Sequence, residues 1–178
     1  MSNEHQTESF SIRVDKRVLD RIRKHAKMEG TSLNSMINTL LTFDIDWHIP
    51  AASSGWVPIP KNILIAIMDK LDEKEIVEVA ENVARKTLKD LVLAMKGKYG
   101  TKETLEILAG RSKAGGFHYN EVEEGNHIHF IMQHNMGRKW SLYFKTFYEL
   151  ALSDLGCKTK FTMTDNTVTY TVNKKDCM

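Results

Sequence analysis

The stretch "SFSIRVDKRVLDRIRKHAKMEGTSLNSMI", residues 9–37, decides how the chain begins. Its first six residues alternate, with Phe10, Ile12 and Val14 on one face and Ser9, Ser11 and Arg13 on the other. That is the period of a half-buried strand. Asp15 then stands where an N-cap belongs, before a helix whose apolar stripe is Val18, Leu19, Ile22 and Ala26. Gly30 is placed to end that helix in the left-handed conformation, and Thr31 or Ser32 to cap a second one. The second stripe is Leu33, Met36, Ile37, Leu40 and Leu41. A single strand has no partner nearby, and about forty residues cannot bury two such stripes alone. Two copies of the segment can, if their strands pair antiparallel and their helices interlock.

Charge is concentrated in the same place. The whole chain of 178 residues carries a formal net charge of only +2. Residues 9–43 alone hold seven cations and three anions, a net +4, and every one of those cations precedes Gly30. A cationic patch on a small folded unit is the electrostatic footprint of a polyanionic partner.

The segment resembles the ribbon-helix-helix DNA-binding domains of the Arc and methionine-repressor type. The resemblance rests on the six-residue amphipathic strand, the "RVLDRIRK" helix and the "EGTSLNSMI" turn, and covers about forty residues. It implies an intertwined homodimer that inserts a two-stranded ribbon into the major groove of double-stranded DNA. Ser9, Ser11 and Arg13 would then face the bases, with Arg13 able to fork onto guanine. The resemblance further implies phosphate contacts from Lys16, Arg17 and Lys24, and from the backbone N–H groups of Thr31, Ser32, Leu33 and Asn34. Serines at two of the three base-facing positions discriminate weakly, which also fits an architectural DNA-binding role.

Residues 1–8 read as a disordered arm and residues 48–60 as a linker. The linker holds all three prolines and no Asp, Glu, Lys or Arg, yet Trp47, Trp56 and Ile59 suggest that it packs against something. Residues 61–178 read as an α+β domain. Lys61 to Leu71 has helical spacing, and Asp72 with Glu75 forms a capping-box pattern for a helix running to about Lys96. A further helix is expected over Thr101–Leu108, ending near Gly110. The period then changes to two. His118–Glu124 and His127–His134 are expected to pair around a three-residue Glu-Gly-Asn loop, which sets Glu123 opposite His127 and Glu121 opposite His129. A helix from about Gly137 to Leu155 follows. A second hairpin over 160–172 turns at Asp165-Asn166, pairing Met163 with Val168 and Phe161 with Tyr170. The ending is therefore ββαββ, an antiparallel sheet with a helix across it.

Several roles are open to this second region. His118, His127, His129 and His134 fall within seventeen residues, and imidazole is a common ligand of transition metals. "HIHFIMQH" is similar to the His-x-His strand of nickel-responsive ribbon-helix-helix regulators, although no cysteine follows at that family's distance. Against that reading, His134 shares the apolar face of Ile128, Phe130 and Met132, as a satisfied core histidine does. Trp140, Tyr143, Phe144, Phe147, Tyr148 and Tyr170 could line a pocket for a small-molecule effector, or simply fill the core. The order of elements resembles that of regulatory domains of the 4-vinyl-reductase type. The broad apolar faces of the helices before Gly97 fit a plain assembly role, including a dimer of dimers.

Catalysis finds no support. "GRSKAGG", residues 110–116, lacks the Gly-Lys-Ser/Thr ending of a phosphate loop, and no nucleophile motif is present. Cys157 and Cys177 match no zinc spacing, and so few cysteines suit a reducing cytoplasm. The polar N-terminus does not read as a secretory signal, and no apolar run is long enough to cross a membrane. The chain reads as a prokaryote-type cytoplasmic transcription regulator, a repressor or activator that is not an enzyme. A second domain for assembly or sensing follows, with no resident cofactor expected unless the histidines hold a metal.

Overall fold

The structure, a computed structural model, describes residues 7–177. Most of the expected arm, residues 1–6, lies outside them, and Thr7 and Glu8 belong to no regular element. The chain divides into two compact units, one up to Asp46 and one from Trp47 onward.

The first unit begins with a helix, α1 (Lys16–Met28), followed by α2 (Leu33–Phe43). Asp15 caps α1 by accepting from the N–H groups of Arg17 and Val18 at 2.9 and 3.3 Å. Gly30 (φ 64°) ends it with paired backbone bonds, Gly30 N to Lys27 O and Thr31 N to Ala26 O. This is a Schellman turn, and only glycine enters its left-handed position without strain. Ser32 caps α2 by accepting from Ser35 N. The expected strand over 9–14 is not formed. A strand exists only as part of a ladder, and among the described residues none pairs with this segment to complete one.

The second unit is mixed helix and sheet. Residues expected to be a linker begin it instead: α3 (Ile49–Ser53) is helical, Trp47 and Ala51 are buried, and Trp47 packs edge-on against Trp56 at 5.3 Å. Pro50 at the first turn needs no N–H partner, so it is compatible with the helix. Then come α4 (Lys61–Met68), α5 (Glu73–Lys86), α6 (Leu88–Lys96) and α7 (Thr101–Ala114). The capping box of Asp72 and Glu75 is present in both directions. The single helix expected to Lys96 is divided at Thr87, whose φ of −113° is far from the ideal helical value, into α5 and α6. Gly97 (φ 70°) ends α6 as expected. The next helix does not stop at Gly110. There α7 passes against Trp47, and a Cβ on Gly110 would lie 2.5 Å from the indole ring. The glycine is required by close approach, not by a turn.

The sheet comprises β1 (His118–Glu124), β2 (His127–Gln133), β3 (Thr159–Met163) and β4 (Thr167–Asn173), all antiparallel, in the order β1-β2-β4-β3. Helix α8 (Arg138–Ser153) lies between the two hairpins in sequence and packs on β3, β4 and α5. A four-residue helix, α9 (Lys174–Cys177), closes the described chain. The second hairpin has the expected register, Met163 with Val168 and Phe161 with Tyr170. The first is shifted by one residue. Its turn holds only Gly125 and Asn126, so Glu124 pairs with His127, Val122 with His129 and Glu121 with Phe130. Gly125 takes a positive φ of 58° at the first turn position, the arrangement that suits a two-residue hairpin.

The core lies between the inner sheet face and the helices. Ile128, Phe130 and Met132 of β2 meet Val168, Tyr170 and Val172 of β4. Tyr170 stacks on Phe130 at 4.7 Å and on Phe161 at 5.2 Å, and Tyr148 of α8 closes on it edge-to-face. Edge strand β1 presents Glu121 and Glu123 on its inner face beyond this core. Charge there discourages pairing with another sheet. Among the described residues, no helix is long and apolar enough to cross a membrane.

Candidate functional site

In the first unit the sequence sets up two surfaces. Ser9, Ser11 and Arg13 are all exposed, directly ahead of the capped α1. The alternate residues are exposed as well, Phe10 at 71% and Ile12 at 59%. Val18, Leu40 and Leu41, members of the two helical stripes, are also exposed, and Ala26 is the one buried residue of α1 and α2. Leu19, Ile22, Leu33, Met36 and Ile37 are half-buried where α1 and α2 pack together, so the apolar side of this unit is only partly covered.

The cationic side is open. Arg17 and Arg23 engage Asp15 and Asp20 in exposed ion pairs at 3.7 and 3.0 Å. Such pairs are worth little in water and exchange readily for a phosphate. Among the described residues Arg13, Lys16 and Lys24 have no ion pair. The expected backbone clamp is narrower than its four residues. The Thr31 N–H is used by the turn to Ala26 O, which leaves those of Ser32, Leu33 and Asn34 without a partner among the described residues.

In the second unit the four histidines do not converge. His127 and His129 stand on one strand face with rings 6.4 Å apart, and His129 Nδ1 lies 3.0 Å from Thr171 Oγ1. Glu124 reaches His129 Nε2 at 3.4 Å. His118 is at the far end of the hairpin, opposite Gln133. His134 is fully buried on the other face. Its Nδ1 accepts from Met136 N at 3.1 Å, and its Nε2 lies 2.8 Å from Ser141 Oγ. Since Nδ1 accepts, Nε2 carries the proton and the ring is neutral. Burial, followed by the charge of Lys61, pulls its pKa down to about 4. Both nitrogens are thus committed. No group of three or more potential metal ligands occurs among the described residues.

The two cysteines, far apart in sequence, are both buried, and the Cys177 thiol is pushed up to about 12 by burial and by its contact with Cys157. A thiol so protonated is a poor nucleophile.

The aromatic cluster separates into two groups. Phe144, Tyr148 and Tyr170 fill the core. Tyr143 and Phe147 instead line a cavity of about 320 Å³ that also takes in Trp56, Leu91 and Arg111. Arg111 lies in the "GRSKAGG" stretch, which the structure makes the end of α7. Its guanidinium carbon lies 5.1–5.8 Å from the ring centres of Phe147, Phe144, Trp56 and Tyr143. Sequence reasoning missed both Arg111 and Trp56 as cavity residues. The only signal was a cation just past the expected end of a helix, a position that usually marks solvent.

Comparison of the sequence with protein-family models and with curated proteins finds no match.

Proposed function

We propose that the protein is a DNA-binding transcription regulator that acts as a homodimer, with residues 9–47 forming a ribbon-helix-helix unit. The observation that carries this reading is the exposed amphipathic segment Ser9–Val14 ahead of two well-capped helices whose apolar stripes are only partly covered, with Val18, Leu40 and Leu41 exposed. A second copy supplies the missing strand and covers the stripes. The outward side of the paired strands then presents Ser9, Ser11 and Arg13 from each subunit to base edges in the major groove. Lys16, Arg17 and Lys24, with the free N–H groups of Ser32, Leu33 and Asn34, hold flanking phosphates and set the register. The net +4 of residues 9–43 supports an anionic partner. The unit from Trp47 onward serves assembly of these dimers.

The test is binding of wild type and Arg13→Ala to a pool of genomic fragments at several salt concentrations. Enrichment of a few fragments, with Arg13→Ala costing roughly 1–3 kcal/mol per lost bidentate contact, is the expected result. Weak, unselective binding that is indifferent to Arg13 would reduce the segment to a dimer clasp.

A further inference from the structure

The proposed DNA-binding mode makes no use of the Arg111 cavity, which lies wholly within the unit from Trp47 onward. Its walls come from α5, α6, α7 and α8 and from the Ser54–Val57 segment. Apolar side chains such as Val83, Leu88, Leu91 and Ile107 make up most of them. At about 320 Å³ it is at the small end of the range for cavities that hold metabolite-sized ligands.

One group there is out of keeping with an apolar core. Arg111 is partly buried and always charged, and among the described residues it has neither an ion pair nor a hydrogen-bond acceptor for its side chain. Its neighbours are ring faces. Cation–π attraction holds the guanidinium in place but satisfies none of its five N–H donors. Elsewhere in the same unit partly buried cations do find acceptors: Lys96 meets Glu106 at 2.8 Å, and Lys139 donates to the carbonyls of Asp69 and Leu71 at 3.0 and 2.6 Å. A fixed, planar donor fork at the wall of an apolar cavity matches a carboxylate, which can accept two of its N–H groups side by side.

From this geometry we infer that the cavity binds a small organic monocarboxylate with an apolar body. The carboxylate lies on Arg111. The body lies among Leu91, Ile107 and Phe147, with Trp56 and Tyr143 flanking the guanidinium. The site stands on the second unit alone and holds whether or not residues 9–43 bind DNA. A single uncompensated cation selects one negative charge. A neutral analogue of the same shape keeps the apolar contacts and loses the charge-assisted bonds.

The experiment is titration calorimetry of the full-length protein with octanoate and with 4-phenylbutyrate, each beside its primary amide. At least one carboxylate should bind with its amide weaker by roughly 10-fold to 100-fold, the range expected for hydrogen bonds to a charged group. Whichever carboxylate binds more tightly tells whether the body is a chain or a ring. Arg111→Gln should abolish that difference between acid and amide, and Arg111→Lys should restore part of it. Amides that bind as well as their acids, or neither acid binding at millimolar concentration, would overturn the proposal. The acid–amide comparison on wild-type protein decides it even if the Arg111 variants do not fold.

Discussion

Replacing His134 with Gln separates the buried imidazole from every other acid-sensitive group in the protein. His134 is wholly enclosed, flanked by Phe117 and Phe144 with ring centres 6.2 and 5.2 Å away, and both its nitrogens are hydrogen-bonded. Burial and the Lys61 charge lower its pKa from 6.5 to about 4. The folded protein therefore keeps the ring neutral down to about pH 4, while the unfolded chain takes up a proton below 6.5. Between those values the unfolded state binds more protons, so stability is fully present above 6.5 and is lost as the pH falls. At 1.36 kcal/mol per pH unit the loss is about 2 kcal/mol by pH 5 and about 3 kcal/mol by pH 4. Gln cannot titrate, so the variant lacks this component while sharing all others. The assay is urea unfolding at pH 7.5 and 5 followed by tryptophan fluorescence. Trp47, Trp56 and Trp140 all belong to the second unit, so the signal reports the unit that contains His134. Wild type should lose about 2 kcal/mol more than His134→Gln over that interval. Equal losses in the two proteins would refute the neutral, doubly bonded histidine.

Replacing Phe10 and Ile12 together with Lys should shift the protein from dimer toward monomer in sedimentation velocity. It should also abolish DNA binding without changing the tryptophan-monitored stability of the second unit. Gly110→Ala improves local helix propensity by about 1 kcal/mol but drives its Cβ into the Trp47 ring. A net loss of roughly 1–2 kcal/mol in urea unfolding is expected, and a gain would show that the indole moves aside freely. Asp72→Ala removes one half of the capping box at the start of α5 and should cost about 1 kcal/mol by the same assay.

The caps were legible in the sequence because each is a local device. Asp15, Gly30, Ser32, Asp72 and Gly97 act within one turn of their own position, and the structure uses each as its residue type dictates. The alternation of β2 and β4 fixed which residues face inward, and it put His134 on the core face while leaving it among the candidate metal ligands, a choice that burial and its two hydrogen bonds then made. A two-residue turn at Asp165-Asn166 fixed the second hairpin. The first was misjudged by one residue, because alternation in β2 alone cannot tell whether Glu124 belongs to the turn or to the ladder. In β1 the weak pattern around Glu121 and Glu123 gave no check.

Tertiary structure decided what depends on residues far apart in sequence. Trp47 lies so close to Gly110 that no Cβ fits there, and Cys157 meets Cys177. Arg111 receives rings from α8 and from Trp56, more than fifty residues before it. No periodicity announces such a meeting, because the period of a helix records which face is buried, not what it is buried against. The opposite holds for residues 9–14. There the alternation in the sequence reads as an amphipathic strand and the structure forms none, because no described residue supplies the ladder that a strand requires.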